Sequence, residues 1–185
     1  MQPLFDRRRF LGSCGLLLAP AFAVGQEKLD HKAEEQLKTL KIELPAVPKP
    51  TGATLVPTVR VGDVLYVSGH TSVGLDGKPI VGKVGKDLDV KQGAEAARVV
   101  GLRILSVVRA ELGSLDKVVR LVKTLGMVNC TPDFTQQPQV INGCSDLMVQ
   151  IFGAGAGKGT RSAVGMNSLP GGVAVEIEAI FQVRG

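Results

Sequence analysis

Eleven residues near the C-terminus constrain the fold of this 185-residue chain most. Val173, Val175, Ile177, Ala179, Phe181 and Val183 alternate with Ala174, Glu176, Glu178, Ile180 and Gln182. A period of two is that of a strand with one face buried, because successive side chains point to opposite sides. Pro170-Gly171, just before it, is turn chemistry. Arg161 to Val183 therefore reads as a β-hairpin centred on that turn. In this register Gly165 faces Glu176, Ala163 faces Glu178 and Arg161 faces Ile180. Arg161, Glu176 and Glu178 then share one sheet face, beside the small residues Ala163, Gly165 and Ala174. A slip of one residue would undo the arrangement.

The remaining elements complete an α+β pattern. Leu55 to Arg60 and Val64 to Ser68 are β-prone and meet at Gly62-Asp63, a hairpin turn pair. Thr71 to Gly85 carry several glycines and read as a loop or irregular hairpin. Asp89 with Gln92 forms a capping-box signature. Ala97, Gly101, Ile104, Leu105, Val108 and Leu112 then recur at helical spacing, and Gly113 is a natural stop. Val118 to Val128 is a strand. A second helix starts at Pro138, carries Val140, Cys144, Leu147, Met148 and Ile151 on its buried stripe, and ends at Gly153. The expected fold is a mostly antiparallel sheet with two helices on one face.

Residues 1–23 read as an export signal. Asp6-Arg7-Arg8-Arg9-Phe10-Leu11-Gly12 resembles the twin-arginine signal, Leu11 to Ala19 are apolar, and Ala21-Phe22-Ala23 fits a cleavage site. The apolar run is shorter than the ~20 residues that span a bilayer, so the mature protein is expected free of the membrane, in the periplasm. Residues 24–50 read as an extension: a charged helix with Leu37 and Leu40 on one side, then a linker with Pro45, Pro48 and Pro50. The domain is expected over 51–185. Three arginines against Asp6 account for two of the five net positive charges, and all leave with the signal. That modest balance, with aromatics at only 4%, argues against a nucleic-acid partner or a base-stacking site.

Several chemistries can be weighed from the residues alone. Gly153 to Thr160 lack the spacing of a phosphate loop: Gly157-Lys158 is followed by Gly159, and position 152 is Phe. The segment reads instead as a flexible connection. His31 and His70 stand apart from each other and from any cysteine cluster, so no metal site is expected. Cys130 and Cys144 fit buried core positions better than a disulfide. Arg161 offers a planar fork for a carboxylate, and a nearby Glu could orient or deprotonate a water. The plain alternative is an Arg–Glu ion pair on a solvated face, which the pattern alone favours. Arg161 and Glu176 are also separated by about four residues along the strand direction, or ~13 Å.

A resemblance shifts that balance. Arg161-Ser162-Ala163-Val164, Leu169-Pro170 and Val175-Glu176-Ile177-Glu178-Ala179-Ile180 resemble the C-terminal signature of the RidA (YjgF) family. Val61 to Gly69 resemble its first hairpin, and Ile141-Asn142-Gly143 after Pro132-Asp133-Phe134 resemble a subgroup. The similarity runs from about Thr51 to Val183. It implies a chorismate-mutase-like fold, a homotrimer with ligand sites between subunits, and hydrolysis of small enamine or imine carboxylates such as 2-aminoacrylate. No cofactor or metal is implied. By the same resemblance Arg161 grips the substrate carboxylate, Glu176 positions the attacking water, and Ser68 and Gly69 supply backbone contacts. Two positions depart from the family: Leu55 stands where a Tyr is common, and Pro138 where an Asn is common, with Asn142 as a substitute. These departures keep open a non-catalytic protein that binds a small carboxylate in the same cleft.

Overall fold

The computed structural model describes residues 32–47 and 54–185; the expected export signal lies outside them. Its elements are α1 (Ala33–Thr39), β1 (Thr58–Val61), β2 (Val64–Thr71), α2 (Val90–Leu112), β3 (Val118–Asn129), α3 (Gln137–Gly157), β4 (Thr160–Met166) and β5 (Val175–Val183). Five strands form one mixed sheet in the order β1-β2-β5-β3-β4. The α+β architecture is as expected, and so are the first hairpin and both long helices. The Asp89 carboxylate accepts from Gln92 N at 2.7 Å, while Asp89 N donates to the Gln92 side chain at 2.9 Å. Gly113 closes α2 in the left-handed conformation, at φ 79°.

The C-terminal hairpin does not form. β5 pairs antiparallel with β2 on one edge and β3 on the other. β4 lies beyond β3, parallel to it, with Thr124 opposite Arg161 and Gly126 opposite Ala163. The reason is α3. A strand, a helix and a second strand in succession make a crossover, which returns the chain parallel to its start. Pro170-Gly171 then sits in a 3-10 turn over Pro170–Gly172, within a connection that passes the end of β3. Asn129 fastens that connection: its amide donates to the carbonyl of Val173 at 3.2 Å. The loop expected over 153–160 is also different. The chain leaves helical geometry at Gly153 (φ 74°, ψ 168°) but turns helically again as far as Gly157.

Both long helices cover one face of the sheet. Leu65, Leu121, Val128, Ile177 and Phe181 are buried beneath them. Phe152 and Phe181 meet edge to face at 6.3 Å between centroids. Cys130 and Cys144 are both buried and unpaired, and burial pushes the Cys144 thiol up to about 12. The packed unit also takes in α1, within the segment read as an extension. Ala33 and Leu37 are buried. The Glu34 carboxylate accepts from Leu115 N at 3.0 Å and pairs with Arg109 Nε at 3.2 Å.

Helices α2 and α3 approach closely because glycines face the contact. A Cβ on Gly143 would run into the carbonyl of Ala94, and one on Gly101 would lie 3.0 Å from the Leu147 side chain. Backbone cannot yield as a flexible side chain can, so Gly143→Ala should force the helices apart. We expect a loss of about 2–3 kcal/mol, measured as a lower urea midpoint with an unchanged slope.

Candidate functional site

The structure brings the expected site residues into two groups on different faces of the sheet. Parallel partners share a face, and Thr124, opposite Arg161, is buried toward the helices. Arg161 therefore projects on the helix side of the edge strand, contrary to the expected shared face with Glu176 and Glu178. There its Nη1 donates to Asn142 Oδ1 at 2.8 Å and to Ser145 Oγ at 3.1 Å. Asn142 and Ser145 are three residues apart on α3, the spacing that puts two side chains on one helix face. Ser145 is the residue the sequence reading missed, and that spacing was the available signal. Among the described residues no carboxylate lies within ion-pair distance of Arg161. Its side chain is exposed, held by two neutral partners with its charge uncompensated.

The second group lies on the open face. Glu176 alternates with the buried Val175 and Ile177, so it points away from the helices. Thr71 on β2 and Met127 on β3 flank it. Between the pairs Val67–Ala179 and His70–Ile177 the ladder slips by one residue, and the extra residue makes a β-bulge at Ser68-Gly69. Ser68 is tied toward β1: its N–H donates to the Pro57 carbonyl at 3.0 Å and its hydroxyl to the Val56 carbonyl at 2.7 Å. Gly69 faces Glu176 so closely that a Cβ would collide with the carboxylate. Partial burial raises the Glu176 carboxyl above its ordinary value, and the negative charge of Glu178 adds to the effect. Of the expected substrate contacts, Arg161 joins Asn142, and Glu176 joins Ser68 and Gly69. β3 separates the groups. The offset from Met127, beside Glu176, to Thr124, beside Arg161, is roughly 10 Å along the strands at ~3.3 Å per residue.

The residue at each departure is also placed. Leu55 is 55% exposed before β1. Pro138 occupies the first turn of α3, which starts one residue earlier than expected, at Gln137.

Comparison with known proteins agrees with this architecture. Residues 34–172 match the family described as "YjgF/chorismate mutase-like, putative endoribonuclease". The chain belongs to the YjgF/RidA family. The protein TCP17 of Trypanosoma cruzi is 41% identical over 148 residues, covering 80% of this chain and 92% of that protein. A protein of unknown function from Agrobacterium tumefaciens, Atu1372, has 39% identity and a TM-score of 0.74 over 84% of this chain and 96% of its own. An endoribonuclease-family structure from Shewanella oneidensis has a TM-score of 0.77 at 26% identity, over 82% and 99% of the two chains.

The close fit of Gly69 under Glu176 gives a direct test. Gly69→Ala should displace the carboxylate toward water and return its titration toward the ordinary glutamate range. The sign follows from linkage. A carboxyl whose folded pKa is raised contributes stability below the unfolded value and loses it as pH rises through the folded value. Carboxyl-detected NMR titration of Glu176 in both forms would show the shift fall in the variant.

Proposed function

We propose that this protein hydrolyses small enamine or imine carboxylates to 2-keto acids and ammonia, at a site completed between copies of the chain. The observation that carries the reading is Arg161. A structural ion pair would have used Glu176 or Glu178 as its partner. Arg161 instead is oriented by Asn142 and Ser145 at an open edge and has no acidic neighbour within ion-pair distance among the described residues. An unpaired guanidinium fork suits a ligand carboxylate.

Glu176 suits the second role. Raising its pKa brings a carboxyl closer to the range where it can both accept and return a proton. In the proposed reaction the imine carbon is held by the carboxylate on Arg161. Glu176 takes a proton from water as the oxygen bonds to that carbon. The same proton passes to the nitrogen, which completes the carbinolamine; Glu176 then takes the proton of its hydroxyl and returns it to the nitrogen as the C–N bond breaks, so that ammonia leaves as the keto group forms. An enamine enters the same path after tautomerising to the imine, its carbon gaining a proton as its nitrogen loses one. Arg161 and Glu176 face opposite sides of the sheet, so one chain cannot hold both ends of so small a molecule. A second copy can.

The open face supports such an assembly, which we propose is a homotrimer. Val59 and its cross-strand partner Tyr66 are 50% and 47% exposed, and Val164 on β4 is 38% exposed. Apolar side chains spread over one uncovered sheet face are a usual mark of self-association. We also propose that residues 1–23 direct the chain to the periplasm, which cell fractionation of the full-length protein would test.

Freshly generated 2-iminopropionate supplied to the purified protein should yield pyruvate faster than in buffer. Arg161→Ala should lose at least tenfold in kcat/KM, and light scattering should give the mass of three mature chains. A monomer, or equal rates with and without Arg161, would overturn the proposal. Leu55, an exposed hydrocarbon where a Tyr is common in the family, favours the second reading, a binding protein without turnover. Calorimetry showing Arg161-dependent 2-keto acid binding with no acceleration would select it.

A further inference from the structure

Arg161 has more donors than the fold uses. A guanidinium carries one N–H on Nε and two on each terminal nitrogen. Nη1 donates to Asn142 Oδ1 at 2.8 Å and to Ser145 Oγ at 3.1 Å, so both of its hydrogens are taken. Among the described residues Nε and Nη2 have no acceptor. The unused donors therefore lie on one flank of the group, turned away from the two α3 partners.

Each contact on Nη1 has a fixed polarity. Arginine accepts no hydrogen bond, so the Asn142 amide must turn its oxygen toward it. The Ser145 hydroxyl donates to the Ile141 carbonyl at 3.3 Å, one turn back on α3. That bond directs its hydrogen at the backbone and leaves its lone pairs for Nη1. Ser145 is half-buried while Arg161 is exposed, so the helix offers a fixed acceptor to a long side chain that would otherwise sample many rotamers. Both acceptors are neutral. They orient the guanidinium without cancelling its charge.

A carboxylate can meet such a fork bidentately in two ways. The end-on approach uses Nη1 and Nη2; the side-on approach uses Nε and Nη2. The end-on approach needs a hydrogen of Nη1, and α3 already holds both. We propose that Ser145 is a positioning residue: with Asn142 it occupies Nη1, so that a substrate carboxylate is gripped side-on, by Nε–H and Nη2–H. This rests on the reading of Arg161 as the carboxylate anchor. Removing the Ser145 oxygen returns one Nη1 hydrogen to the ligand and opens the end-on edge. The carboxylate then divides between two poses, and only one places the imine carbon for attack. Turnover depends on that geometry more steeply than binding does.

Proton NMR of the arginine side chains in the full-length protein, with pyruvate as the probe and Arg161→Ala to assign the resonances, reads the edge directly. Pyruvate should move the Arg161 Nε–H downfield and leave the Nη1 protons in place. With 2-iminopropionate, Ser145→Ala should lose about tenfold in kcat while KM changes less. Ser145→Thr, which keeps a hydroxyl able to bond one turn back, should regain most of that loss. An Nε–H that stays put while the Nη protons move, or a wild-type kcat in Ser145→Ala, would overturn the side-on grip and leave Arg161 as the anchor. If the wild type turns nothing over, the hydrolase reading fails, while the response of Nε–H to pyruvate still decides the edge. Pyruvate that moves no Arg161 resonance would overturn both.

Discussion

The double pairing of β5 governs the rest of the molecule. With β2 on one edge and β3 on the other, this strand has no free edge for the segment that precedes it. β4 must go to the outside of β3, and α3 delivers it there in parallel orientation. That placement turns Arg161 toward α3 and leaves Glu176 on the opposite face. The division of the site follows from the sheet order, not from any property of the two residues.

Around that frame, small residues decide how close the parts can come. Gly143 admits the carbonyl of Ala94 and brings α3 down on α2, which positions Asn142 and Ser145 over the edge strand. Gly69 admits the Glu176 carboxylate. In both places a missing Cβ is filled by a polar atom from another element. The polar groups of each half are therefore set by backbone geometry.

Much of this was legible in the sequence. The capping box at Asp89, the stop at Gly113 and the period-two run of β5 are local signals, and each appears in the structure. Strand pairing is not local. Pro170-Gly171 is good turn chemistry, and the same dipeptide serves a 3-10 turn in a longer connection. The strand–helix–strand succession over β3, α3 and β4 was the competing signal, and it prevailed because a crossover of that length favours parallel return. Arg161, Asn142 and Glu176 were found from family resemblance. Their grouping was not, because the face of a side chain depends on register. Ser145 carries no motif beyond its three-residue spacing from Asn142, and its contact with Arg161 emerges only from the packing.

In the proposed assembly Arg161 of one copy works with Glu176 of another. Refolding a mixture of Arg161→Ala and Glu176→Gln proteins tests it most directly. Each variant alone should be inactive toward 2-iminopropionate. A mixed trimer would hold one interface with both native residues, so activity should return on mixing. If both residues served from the same chain, every site in the mixture would lack one of them. No recovery from a well-mixed, refolded trimer would contradict the account.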